Sequence, residues 1–137
     1  MIEVKDITKQ YGDNVVLDGV GMQFHKGKVT SLIGSNGAGK STLLSIISRL
    51  LSQDGGIVKV DDKNVTEYKN KMLAQRLSIL KQSNHIRLKL TVRELVSFGR
   101  FPYSQDKLND KDYEMVDRAI DFMDLKDIEN SYIDELS

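Results

Sequence analysis

The chain has 137 residues, 39% of them hydrophobic: enough for one compact domain with a core, and too few for two complete ones. Twenty Lys and Arg balance twenty Asp and Glu, so no overall positive charge favours nucleic acid, and no nucleic-acid partner is expected. With no cysteine and two isolated histidines, His25 and His85, the sequence excludes disulfides, thiolate nucleophiles and paired-histidine metal motifs.

The opening segment MIEVKDITKQ carries acids at Glu3 and Asp6 and does not read as a signal peptide. Nowhere do about 18 apolar residues run together, so any membrane association is expected to come through a partner. Ile2, Val4 and Ile7 fall on one side of an extended segment. Gly12-Asp13-Asn14 marks a turn and Val15 to Phe24 a second extended run, together an antiparallel pair. His25-Lys26-Gly27-Lys28 makes another turn before Val29-Thr30-Ser31-Leu32-Ile33, a short apolar run expected to form a buried strand.

After Gly39 the period changes. Leu43, Leu44, Ile46, Ile47, Leu50 and Leu51 recur at helical spacing, predicting a helix over residues 40 to 51. Gly55-Gly56 introduces a strand from Ile57 to Val60; a helical stretch around Lys71 to Arg76 precedes an extended Leu77 to Lys81. Strands and helices thus alternate, as in α/β folds. Thr91 and Glu94 fit a capping box, starting a helix that Gly99 and Pro102 end. Tyr113, Val116, Ile120 and Met123 mark a further amphipathic helix, expected to be capped by Asp110.

Charge is uneven along this second half. Residues 63 to 100 hold nine basic and two acidic side chains, residues 106 to 135 four basic and eleven acidic. Solvated helix faces account for most such asymmetry, and a partner-docking surface is the other reading.

Between the apolar run and the first helix stands Gly34-Ser35-Asn36-Gly37-Ala38-Gly39-Lys40-Ser41, a match to G-x-x-x-x-G-K-[ST] in the strand-to-helix context that the pattern demands. Its four fixed positions coincide by chance in only on the order of 0.5% of chains this long. The chemistry explains the residue types. Glycines let backbone N–H groups approach densely charged phosphates, and the following helix aims free N–H groups and its positive dipole end at them. Lys40 adds a point charge near the transferable phosphate, and Ser41 offers a hydroxyl to Mg²⁺. Thr42 fits an α-phosphate contact, although a threonine in a first helical turn serves backbone groups equally well.

With its surroundings, GSNGAGKST at Gly34 to Thr42 resembles the ATP-binding subunit of ABC transporters. The resemblance implies a P-loop NTPase of α/β class, with an N-terminal antiparallel β-subdomain, the P-loop unit and the start of a helical subdomain. It divides the chain at residues 1–82 and 83–137. It implies ATP and Mg²⁺ as ligands, held by Ser35, Asn36, Gly37, Ala38, Gly39, Lys40, Ser41 and Thr42. Tyr11, in KQYGDNVVLDGV, stands where the family stacks an aromatic on adenine; taken alone, it reads as a half-buried strand-end tyrosine. Gln82, closing LSILKQ, falls at the family's Q-loop, whose glutamine approaches Mg²⁺ and the attacking water, so Lys40 and Gln82 are the catalytic candidates. Thr91 to Gln105, with Arg100 and Tyr103, resembles importers of ferric siderophores, haem and cobalamin.

Implied partners are a membrane-spanning permease and a second copy of the ATPase domain, placing the protein in the cytoplasm, peripheral to the inner face of the membrane. The likeness stops at Asp134-Glu135-Leu136-Ser137, the first two letters of the family's LSGGQ signature. A Walker B aspartate, its adjoining glutamate and a switch histidine are not found. The expectation is therefore an N-terminal part that binds Mg-ATP at most, is inactive alone, and is marginally stable with exposed sheet edges. A GTPase is disfavoured: Asp18-Gly19-Val20-Gly21 precedes the loop and Asn70-Lys71-Met72-Leu73 lacks the aspartate of N-K-x-D. A soluble, non-transport member of the ABC superfamily is the alternative.

Overall fold

The computed structural model describes residues 1–80, 89–104 and 107–136. The chain divides into two compact units, Met1–Ile79 and Leu80–Ser137.

In the first unit β1 (Ile2–Tyr11) and β2 (Asn14–Phe24) pair antiparallel around the Gly12-Asp13 turn, as the alternating apolar residues predict. Strands β3 (Gly55–Val60) and β4 (Lys63–Asn64) complete a four-stranded sheet in the order β2-β1-β3-β4, antiparallel throughout. The β3–β4 turn consists of Asp61 and Asp62, both at positive φ (47° and 64°), the conformation that matches a two-residue hairpin to strand twist. One face of the sheet carries the core. Val4, Ile7, Leu17, Val58 and Val60 meet Leu43, Ile46 and Ile47 of α1 (Lys40–Ile47), and Val65 and Leu73 join them. Burying a side chain such as Ile46 stabilises the fold by roughly 1.5–3 kcal/mol.

Helix α1 ends four residues earlier than the apolar periodicity predicts. Arg49 turns the chain at φ 57°, and the carbonyl of Ser45 accepts from the N–H groups of Leu50 (2.8 Å) and Leu51 (3.1 Å). The Arg49 guanidinium donates to the carbonyls of Val65 and Tyr68, both at 2.7 Å, and to Asn70 Oδ1. These bonds tie the helix end to the segment leading into α2 (Asn70–Ala74).

Two expected strands do not form. Residues 29–33 pair with no strand among the described residues, and Val29 and Ile33 are 97% and 94% exposed. An apolar run has the composition of a buried strand, but a strand needs ladder partners, and the antiparallel sheet places none beside it. Of the extended run expected at Leu77 to Lys81, residues 77–80 are likewise irregular and Leu80 is exposed, while Lys81 lies outside the described residues.

In the second unit α3 (Val92–Phe98) starts at the expected capping box: Glu94 N–H donates to the Thr91 hydroxyl oxygen, and Thr91 N–H to the Glu94 carboxylate. Helix α4 (Asp110–Phe122) is capped by Asn109, correcting the expectation of Asp110. Asn109 Oδ1 accepts from Asp112 N–H at 3.1 Å, and the Asp112 carboxylate accepts from Asn109 N–H, a second capping box that Asp110, one residue inside, is not placed to make. Val116 and Ile120 are buried as predicted, whereas Tyr113 and Met123 are exposed. Asp112 takes a place on the buried face instead, because Arg100 pairs with it at 2.9 Å. Arg93 joins the unit's other elements, reaching Asp117 at 2.7 Å and Glu129 at 2.6 Å. Among the described residues no helix is long and apolar enough to cross a membrane.

Candidate nucleotide-binding site

The loop Gly34–Gly39 leads into α1, and its backbone conformation follows from its glycines. Gly37 and Gly39 sit at φ 84° and 81°, in the left-handed region that L side chains rarely enter. Gly39 has a second reason to lack a side chain. A Cβ there would lie 2.7 Å from Leu17 Cδ2 and 2.9 Å from the Val16 carbonyl oxygen, so β2 forms a wall against which only glycine fits. Nothing in the local pattern around residues 16 and 17 announces this role, because the contact joins residues more than twenty positions apart.

Gly39 is also the N-cap of α1. It provides no side-chain cap, and the first turn contains no acidic residue. The helix N-terminus therefore offers backbone N–H groups and its positive dipole end to an anion without competition from a carboxylate. Lys40 folds back over the loop, donating to the carbonyls of Gly34 and Ser35 at 2.7 Å each. Ala38 N–H donates to Ser35 carbonyl oxygen at 3.3 Å and closes the turn from within. Ser35, Asn36, Gly37, Ala38 and Ser41 are exposed, Lys40 and Thr42 half-buried. Of the eight predicted residues, Ser35 to Gly39 thus form the turn before α1, and Lys40, Ser41 and Thr42 its first helical turn.

Tyr11 stands apart from that turn in its bonding. It ends β1 opposite Asn14, half exposed, with the Lys9 ammonium 5.4 Å from its ring centroid. It forms no hydrogen bond with the loop among the described residues. Gln82 lies outside the described residues. No group of three or more His, Asp or Glu side chains among the described residues is placed to hold a metal ion.

A glycine-built loop before a helix N-terminus without a side-chain cap, with a lysine folded across it and an antiparallel sheet in the same unit, is the arrangement of a P-loop nucleotide-binding cassette. The chain belongs to the ABC transporter family, which matches residues 17–137. It is 50% identical over its full length to the petrobactin import ATP-binding protein YclP of Bacillus subtilis (strain 168), spanning 54% of that protein. It is 36% identical to the iron(3+)-hydroxamate import ATP-binding protein FhuC of the same organism, over 93% of this chain and 48% of that one. Among solved structures it resembles the dimeric ATP-binding cassette MJ0796 bound to ADP and phosphate, with 26% identity and a TM-score of 0.79, covering 100% of this chain and 63% of the other. The chain therefore spans about half the length of the curated relatives it matches.

Proposed function

We propose that the chain binds Mg-ATP through the Gly34–Thr42 loop and that the whole protein powers import of an iron chelate as the ATP-binding subunit of a membrane transporter. The observation that carries the nucleotide reading is Lys40, held over Gly34 and Ser35 at the uncapped N-terminus of α1. The residues present fit Mg-ATP. Gly37 and Gly39 shape the turn, the backbone N–H groups of Ser35 to Lys40 serve the β- and γ-phosphates, and Lys40 adds charge at the γ-phosphate. Ser41 offers its hydroxyl to Mg²⁺, which when bound neutralises charge on the phosphate oxygens. Thr42 serves the α-phosphate, and the exposed ring of Tyr11 stacks on adenine. Gln82 is proposed to orient the attacking water and sense the metal.

Support for the transport reading comes from the relatives, which are siderophore-import ATP-binding proteins. On that reading the protein sits at the cytoplasmic face of a membrane through a permease, paired with a second ATPase domain. In this reading the residues after 82 form the surface that meets the permease. Fluorescent-nucleotide titration of the chain and its Lys40→Ala variant tests the nucleotide reading: affinity for Mg-ATP falls at least tenfold in the variant. Equal binding would overturn the assignment of the loop.

A further inference from the structure

Strand β1 runs past the start of β3. Their pairing ends at Thr8 and Gly55, so Lys9, Gln10 and Tyr11 pair with β2 alone, as a two-stranded ribbon. Such a ribbon has little stability of its own. Asp54, the residue before β3, supports its unpaired side. The Asp54 N–H donates to the Thr8 carbonyl at 3.0 Å, and the Asp54 carboxylate accepts from the Lys9 ammonium at 2.7 Å and the Gln10 N–H at 2.8 Å. Gln10 Nε2 donates to the Gly12 carbonyl at 2.6 Å and ties down the turn that follows Tyr11. The Lys9 side chain is 13% exposed, and its ammonium, held by Asp54, also lies over the Tyr11 ring at 5.4 Å from the centroid. The same ribbon borders the glycine loop: Lys9 stands opposite Leu17, which walls Gly39, and Tyr11 stands opposite Asn14, about 10 Å along β2 from that wall.

Stability alone accounts poorly for this pair. Ion pairs at a protein surface contribute little, and covering most of a lysine costs hydration. What the pair fixes is a ring. An ammonium is attracted to an aromatic face, and one tethered by a carboxylate stays on that face and limits the ring's rotation. We infer that Lys9, tethered by Asp54, is a positioning residue for nucleotide binding: it occupies one face of Tyr11 and so presents the opposite face to the purine base. The inference rests on the reading that Tyr11 stacks on adenine. It adds to that reading a cause for the ring's orientation, built from residues outside the Gly34–Thr42 loop.

Rival roles for Lys9 make different predictions. Attraction of its charge for phosphate would weaken Mg-ATP and Mg-tripolyphosphate together, and removing the Asp54 charge would strengthen both. A merely structural pair would weaken both ligands alike. Positioning of Tyr11 affects the base alone. Calorimetric titration of the intact chain with Mg-ATP and with Mg-tripolyphosphate separates these roles, because the ratio of the two affinities isolates the nucleoside. That ratio is expected to fall about threefold in both Lys9→Met and Asp54→Asn, the scale of a partly lost stacking contact, with tripolyphosphate binding and circular dichroism unchanged. Lys9→Arg, which keeps a cation able to pair with Asp54 and lie on the ring, retains the original ratio. Lys9→Met/Tyr11→Ala is no lower than Tyr11→Ala alone, as expected of residues that act as a unit. If Tyr11→Ala lowers the ratio while Lys9→Met and Asp54→Asn do not, or if Lys9→Met lowers it further in the absence of Tyr11, the positioning role is overturned and the stacking reading stands. An unchanged ratio in Tyr11→Ala would overturn both.

Discussion

Gly39 and Leu17 are in such close approach that a single methyl group on residue 39 would stand 2.7 Å from Leu17 Cδ2. The glycine loop is thus shaped from outside as well as by its own sequence. Gly39→Ala combines that clash with a side chain at φ 81°, and is expected to destabilise the chain by about 1–3 kcal/mol and weaken Mg-ATP binding at least tenfold. Urea unfolding and nucleotide titration measure the two effects separately. Leu17→Ala in the same chain removes the clashing methyl and recovers part of the lost binding while leaving the Val16 carbonyl contact and the φ penalty in place.

Arg49 offers a prediction of opposite character, because its side chain is needed and its backbone conformation is costly. Arg49→Ala leaves the Val65 and Tyr68 carbonyls without their donors and is expected to cost about 2–3 kcal/mol. Arg49→Gly loses the same bonds but relieves the positive φ, so it should be less destabilising than the alanine variant by about 1 kcal/mol. Equal stability of the two variants would show that the φ of residue 49 carries no penalty.

Thr91→Ala removes the hydroxyl that accepts from Glu94 N–H, and is expected to lower stability by about 1 kcal/mol. Asn109→Ala should do the same at α4, whereas Asp110→Ala should change little, since Asn109 is the cap. Thermal melts of the three variants distinguish these roles.

Acid should loosen the second unit. The Thr91 backbone N–H and hydroxyl hold the Glu94 carboxyl below its ordinary range; the Asn109 backbone N–H, followed by Arg100, does so for Asp112; and Arg93 does so for Glu129. Each is a carboxylate whose folded value is depressed. The stability it contributes is therefore fully present above the unfolded carboxylate range of roughly pH 4, and is lost as pH falls through the lower folded values. Helical circular dichroism should stay flat from pH 7 to about pH 5 and decline below about pH 4. In Asp112→Asn that decline should be shallower, from a lower starting stability.

Val29 and Ile33 invert the usual expectation for apolar residues. Serine at either position should cost less than about 0.5 kcal/mol, because both are almost fully exposed, whereas Ile46→Ala should cost about 2–5 kcal/mol. A large loss at position 33 would show that the segment is packed in solution.

These positions also show what the sequence reveals and what it hides. The β1–β2 pair, the Thr91 capping box and the glycine turn before α1 are legible because each rests on residues a few positions apart whose chemistry is local. The wall that Leu17 makes for Gly39, and the bonds from Arg49 to Val65, Tyr68 and Asn70, join distant segments, and no short window contains them. The apolar run at 29–33 was misleading for a related reason: composition reports what a segment prefers to be buried in, while strand formation depends on a neighbour that the segment does not encode. Asn109 and Asp110 are adjacent and both good capping types, and the reciprocal bond with Asp112 makes Asn109 the cap. Gln82 lies outside the described residues, and the role given to it comes from the family.

Lys40 holds the loop by two short bonds to its own carbonyls, so the ammonium serves as an internal clasp as well as a charge. Two of the ammonium's three donors are thus taken, and an anion entering the turn that draws on those two competes with Gly34 and Ser35. Its net gain is the difference between two good sets of hydrogen bonds, not the full strength of one. A methionine at position 40 would therefore do more than remove attraction for phosphate: it would unfasten the loop beforehand, and faster amide-hydrogen exchange at residues 35–39 without nucleotide would reveal it.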